Sequence, residues 1–221
     1  MSPVLRRIGL WGALLGCAVA LSWQLTLRAD TATGNAAHGA QLASTCSGCH
    51  GQHGEGLAAS GFPRLAGQAA PYLAKQLRDY AGGARENAIM AGFAKALSAQ
   101  DIADLAAYYS PLNTPQARPD REDAKAASTG RMLANLGDAR TGVQGCGNCH
   151  GPDGRGEAPL LPYLAGQHAE YLAAQLGAWQ QGTRHNDSGG QMVTLARKLS
   201  VADIAAVSAY YALQSPPMPL H

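Results

Sequence analysis

Phenylalanine is scarce in this chain: Phe62 and Phe93 are the only two, and aromatic side chains together make up 6% of its 221 residues. Charged side chains are also sparse, at 14%, and nearly balanced in sign. The formal excess of +2 is carried by Arg6, Arg7 and Arg28 less Asp30, so residues 31–221 hold fourteen basic and fourteen acidic groups. Such a surface lacks the basic stripe that nucleic acid requires, and no nucleic-acid partner is expected. Cysteine is limited to five residues, four in two short motifs and the fifth, Cys17, in an N-terminal apolar run. No pair is left for a disulfide framework.

What is present is a repeated pentad. Cys46-Ser47-Gly48-Cys49-His50 returns a hundred residues later as Cys146-Gly147-Asn148-Cys149-His150. Two thiols three residues apart can add across the two vinyl groups of one porphyrin, and the adjacent imidazole then lies against the iron. This is the attachment signature of c-type haem. A structural zinc site would also use cysteine pairs, but it gives no reason for a histidine directly after both. A thioredoxin-like pair needs a strand and helix context that this Gly- and Ala-rich sequence does not offer. Two covalently bound c-type haems (iron) are therefore expected.

The repeat extends well beyond the pentads. Pro63-Arg64-Leu65-Ala66-Gly67-Gln68 returns as Pro162-Tyr163-Leu164-Ala165-Gly166-Gln167, and Tyr72, Leu73, Gln76 and Leu77 return as Tyr171, Leu172, Gln175 and Leu176. Ser98, Asp101, Ile102, Tyr108 and Tyr109 reappear as Ser200, Asp203, Ile204, Tyr210 and Tyr211. Two copies mean tandem globular domains, since a solenoid needs three or more stacked units. The spacing predicts helices over Ala36–Cys46 and Pro71–Tyr80, and one opened by a capping box at Ser98 and stopped by Pro111. Residues 51–65 read as loop, Gly137–Val143 as an inserted loop, and the tail from Ser215 as non-helical.

Ile8 to Leu27 is a twenty-residue, mostly apolar run behind Arg6 and Arg7. A helix of that length reaches roughly 30 Å, enough to cross a bilayer core, and the paired arginines favour a cytoplasmic N-terminus. A cleaved signal peptide ending near Ala18-Val19-Ala20 and lipidation at Cys17 are the competing readings.

An iron held by one histidine has a further axial position, whose occupant separates carrier from enzyme. Met90 and Met192 are the candidates, each in a Gly-rich stretch seven residues before the Leu-Ser that opens a domain's last helix. Thioether sulfur opposite imidazole closes the coordination sphere and raises the potential. His38, His53, His168 and His185 do not occupy matching positions in the two halves and read as surface residues.

These motifs resemble the dihaem cytochrome c4 family, and the resemblance covers nearly everything from Ala36 to Leu213. It implies an all-α fold of two tandem class I cytochrome c domains, each wrapped around one covalent haem; the apolar run adds a single N-terminal transmembrane helix or signal peptide before them, and its retention departs from the soluble members of the family. The segments are then 1–29 anchor or signal, 30–35 tether, 36–112 and 127–214 the two domains, 113–126 linker and 215–221 tail. The implied haem-binding residues are Cys46, Cys49, His50 and Met90 in the first domain and Cys146, Cys149, His150 and Met192 in the second. The implied activity is electron carriage on the periplasmic side of the bacterial inner membrane, from a quinol:cytochrome c oxidoreductase toward a terminal oxidase in a respiratory chain. A cytochrome subunit of a membrane-associated dehydrogenase stays open, as does a dihaem enzyme such as a peroxidase or thiosulfate-oxidising cytochrome. The resemblance also implies that the Pro63 and Pro162 carbonyls orient the proximal imidazoles and that Gly39 and Gly130 let the terminal helices cross closely. Arg85 and Arg184 pair with propionates or are solvated. Arg64 stands where the second half has Tyr163, and the second methionine stretch is three residues longer. Unequal midpoint potentials are expected.

Halves this small and this poor in large apolar side chains need the porphyrin as part of their core. Replacing Cys46 and Cys49 by alanine is expected to abolish most of the first half's helicity, read by circular dichroism; native helicity without haem would contradict this.

Overall fold

The computed structural model describes residues 33–116 and 124–218. The apolar run 8–27, linker residues 117–123 and the last three residues lie outside the described residues. Among the described residues no helix is long and apolar enough to cross a membrane.

From Gly34 onward the chain forms one compact unit built around two separate cores. In the first half, α1 (Ala36–Ala43) leads to α2 (Ser47–His50), followed by α3 (Ala70–Gly82), α4 (Ala88–Lys95) and α5 (Ala99–Tyr109). The second half runs α6 (Ala124–Asn135), β1 (Gly137–Asp138), β2 (Val143–Gln144), α7 (Gly147–His150), α8 (Ala169–Gln181), α9 (Gln191–Ala196) and α10 (Val201–Leu213). Helix α6 therefore begins inside the stretch read as linker.

The helix boundaries follow local chemistry. The Asn35 side chain accepts hydrogen bonds from the amides of Ala37 and His38 at the start of α1. Full capping boxes open α5 at Ser98 with Asp101 and α10 at Ser200 with Asp203, satisfying amides that a helix start leaves orphaned. Gly83 ends α3 in the left-handed conformation at φ 81°.

Each half is closed by its first and last helices crossing at a glycine. A Cβ on Gly39 would lie 2.1 Å from the Asp104 carbonyl oxygen of α5, and one on Gly130 would lie 2.3 Å from that of Ala206 in α10. No side chain fits in either gap, which is the expected reason for glycine there. Behind the crossings, Ile102, Leu105 and Tyr109 meet Leu73 in the first core, and Ile204, Val207 and Tyr211 meet Leu172 in the second.

The stretch read as an inserted loop is instead a two-stranded antiparallel hairpin, pairing Gly137 with Gln144 and Asp138 with Val143. It forms because Val143 buries its side chain in the second core, which holds the return strand against α6. The first crossing carries its own addition. Asp104 is buried, and its carboxylate accepts from the Asn35 amide at 2.6 Å, the Gln100 side chain at 2.7 Å and His38 Nδ1 at 2.7 Å.

These donors hold the Asp104 carboxyl below its ordinary pKa, the Asn35 amide contributing most. A depressed native pKa stabilises the fold above the unfolded value of about 3.9 and loses that contribution as pH falls through the native value. Asp104→Asn is expected to melt below the unaltered protein at pH 7, and the gap to narrow progressively as pH falls below about 4. A gap that stays constant across that range would contradict the assignment.

Candidate functional site

Cys46 sits at the N-terminal end of the one-turn helix α2, which places the Cys46 and Cys49 thiols within a single turn with His50 directly after them. Helix α7 repeats the arrangement with Cys146, Cys149 and His150. All four thiols are free of disulfides and half-buried. Burial pushes the Cys46 and Cys146 thiols above their ordinary range. Among the described residues no group of three or more His, Cys, Asp or Glu side chains could hold a metal ion.

The histidines are better defined. Each is buried, and burial lowers the pKa of both imidazoles despite the opposing pull of a carbonyl, so both are neutral at pH 7. Nδ1 of His50 lies 3.0 Å from the Pro63 carbonyl oxygen, and Nδ1 of His150 lies 2.9 Å from that of Pro162. A carbonyl oxygen only accepts, so Nδ1 carries the proton and Nε2 keeps its lone pair. The expected role of the two proline carbonyls in orienting the rings is met. Two thiols and one imidazole with a free Nε2, on one turn, fit a covalently attached haem in both halves.

The methionines are placed differently from the sequence reading. Met90 and Met192 are not in loops; they lie in the first turns of the short helices α4 and α9. Side chains ahead of each helix hold the methionine amides: Asn87, the N-cap of α4, accepts from Met90 at 2.9 Å, and Asp187, in the turn before α9, from Met192 at 2.7 Å.

A seam joins the two halves, and the repeated motifs build it. Gln68 clamps the backbone of Tyr163 by accepting from its amide and donating to its carbonyl, both at 3.2 Å. Gln167 does the same to Arg64, at 2.9 and 3.0 Å. The buried Arg64 guanidinium donates to the carbonyls of Thr114 and Pro115, while the Tyr163 hydroxyl donates to the Ala66 carbonyl. Burial pushes the Tyr163 phenol up to about 12, so it stays a donor at neutral pH.

Further along the seam the backbones of Arg85 and Arg184 pair as an antiparallel bridge. Arg85 donates to Gln76 of its own half and to Tyr171 and Gln175 of the other. Arg184 mirrors it with Gln175, Gln76 and Tyr72. Each guanidinium also covers an aromatic ring, Tyr80 at 4.7 Å and Trp179 at 4.0 Å. Both arginines are buried, which rules out the solvated reading. Neither has a carboxylate within 4.0 Å among the described residues, and they border a cavity of about 300 Å³ with Tyr80, Glu86, Asn87 and Gln175. Two buried cations without a contacting carboxylate suit an anionic group such as a porphyrin carboxylate.

His168 is a second correction. It is buried because it starts α8 at the seam, where its ring faces the Glu55 carbonyl at 3.2 Å. The sequence reading missed the seam, although Tyr72, Gln76 and Arg85 recurring as Tyr171, Gln175 and Arg184 was its signal. Polar residues repeated on one helix face in both halves suggest a face that meets its own copy.

A cytochrome c family model matches residues 36–113 and again 116–212. The chain is 41% identical over 181 residues to cytochrome c4 of Pseudomonas aeruginosa, covering 81% of this chain and 88% of that one. It belongs to the dihaem cytochrome c4 family. The solved structure of reduced recombinant cytochrome c4 from Pseudomonas stutzeri matches at a TM-score of 0.76 and 36% identity, over 82% of this chain and 99% of that one. Identity reaches 44% over 173 residues with a thiosulfate dehydrogenase electron acceptor of Thiomonas intermedia, over 78% of this chain and 79% of that one. As a member of the cytochrome c4 family, the chain carries two covalent c-type haems and is an electron carrier, not an enzyme.

The seam holds the two centres in one unit, and the Tyr163 hydroxyl is one of its buried donors. Tyr163→Phe would leave the Ala66 carbonyl, in a fully buried residue, without that donor. A loss of about 1–3 kcal/mol is expected in chemical denaturation of the holoprotein.

Proposed function

We propose that Cys46, Cys49, His50 and Met90 bind one haem and Cys146, Cys149, His150 and Met192 the other, with His and Met as the axial pair in each. The observation that carries this reading is the matched geometry of the two halves: a neutral imidazole with its Nε2 lone pair free, and a methionine early in a short helix. Haem iron supplies reversible one-electron storage, and thioether sulfur opposite imidazole favours the ferrous state. The protein's residues hold the attachment thiols on one turn, fix the imidazole tautomer and place cations at the seam. Arg85 and Arg184 pair with propionates there, since among the described residues no carboxylate lies within 4.0 Å of either.

The chain relays electrons on the periplasmic side of the inner membrane, between a quinol:cytochrome c oxidoreductase and a terminal oxidase. Residues 8–27 carry it there as an anchor or export signal. A specific observation favours a second donor. The Thiomonas intermedia relative is a thiosulfate dehydrogenase electron acceptor, so a dehydrogenase of that kind is the alternative source of electrons.

In the ferric holoprotein a methionine sulfur-to-iron absorption band is expected from both haems. Met90→Ala and Met192→Ala should each remove about half of it and lower one midpoint potential. A band left intact by either substitution would refute that ligand. Stopped-flow reduction by a quinol-oxidising complex, set against reduction by thiosulfate with its dehydrogenase, separates the two donors by rate.

A further inference from the structure

The amides of the two methionines are held by side chains of different charge. Asn87 holds the Met90 amide at 2.9 Å and is exposed and neutral. Asp187 holds the Met192 amide at 2.7 Å and reaches toward that of Val193 at 3.4 Å. It is half-buried, and its Oδ1 is a buried oxygen without a hydrogen-bond partner.

The surrounding charges do not cancel it by contact. Lys75 and Arg184 both donate to the neighbouring Asn186, one to its carbonyl and one to its side chain. Lys75 also pairs with Asp79. No Lys, Arg or His lies within 4.0 Å of the Asp187 carboxylate among the described residues, and His185 on the same loop is exposed.

We propose that Asp187 is a positioning residue for Met192 that also sets the second centre's reduction potential below the value an asparagine would give, so the Asn87/Asp187 difference is a built-in source of asymmetry between the centres. Ferric iron carries one more positive charge than ferrous. A fixed, partly buried carboxylate on the ligand's own backbone therefore stabilises the oxidised state, and burial limits the screening. In the first half the same hydrogen bond is made without the charge. The inference rests on the axial role proposed for Met192.

The test is spectroelectrochemical titration of the full holoprotein carrying Asp187→Asn, which keeps an oxygen acceptor for the Met192 amide as Asn87 does for Met90. One of the two redox waves should move to higher potential, the other should stay, and the sulfur-to-iron band should persist at both haems. The reciprocal Asn87→Asp should lower the other wave. An intact band with both waves unmoved, moved together or moved downward in Asp187→Asn overturns the proposal alone. Absence of the band from the second haem in the unaltered protein overturns the ligand reading and the proposal with it.

Discussion

In each half a histidine ring donates one hydrogen bond to a proline carbonyl, and the chemistry of the site follows from that contact. It puts the proton on Nδ1, leaves Nε2 as the free donor atom, and ties the one-turn helix of the haem motif to the loop beyond it. That loop is Pro63 to Gln68 in one half and Pro162 to Gln167 in the other, and its far end makes the glutamine clamps of the seam. Imidazole orientation and contact between the halves are thus consequences of the same six residues.

The seam uses the pseudo-symmetry of the chain without depending on identical residues. Gln68 and Gln167 grip backbone, which tolerates the exchange of Arg64 for Tyr163, and each of those unlike side chains then finds carbonyls of its own. The arginine pair is more demanding. Two guanidinium groups buried side by side repel one another, and the glutamines, tyrosines and stacked rings around them satisfy donors without neutralising charge. The porphyrin carboxylates proposed for this place supply the missing sign.

Much of the site was legible because covalent attachment and helix capping are written in short, contiguous patterns. The pentads, the capping boxes at Ser98 and Ser200, and the glycines at the helix crossings need only neighbours in sequence or a repeat to be read. The side chains that hold the methionine amides were less legible: Asn87 and Asp187 lie three and five residues ahead of their methionines, and the intervening glycines of the second stretch suggested a loop. The hairpin at Gly137–Gln144 was hidden for a related reason. Its stability comes from one buried residue, Val143, which carries no periodic signal.

The sequence alone determined that there are two haem-binding domains of like plan, each with one Cys-x-x-Cys-His motif, and where the principal helices begin, since these depend on local chemistry. Only the tertiary structure decided where the repeated polar residues go. Tyr72, Gln76 and Arg85 gain their partners from a segment about a hundred residues away, and no local pattern distinguishes a polar face meant for water from one meant for its own copy. Burial decides between those, and burial is set by the packing of the whole unit.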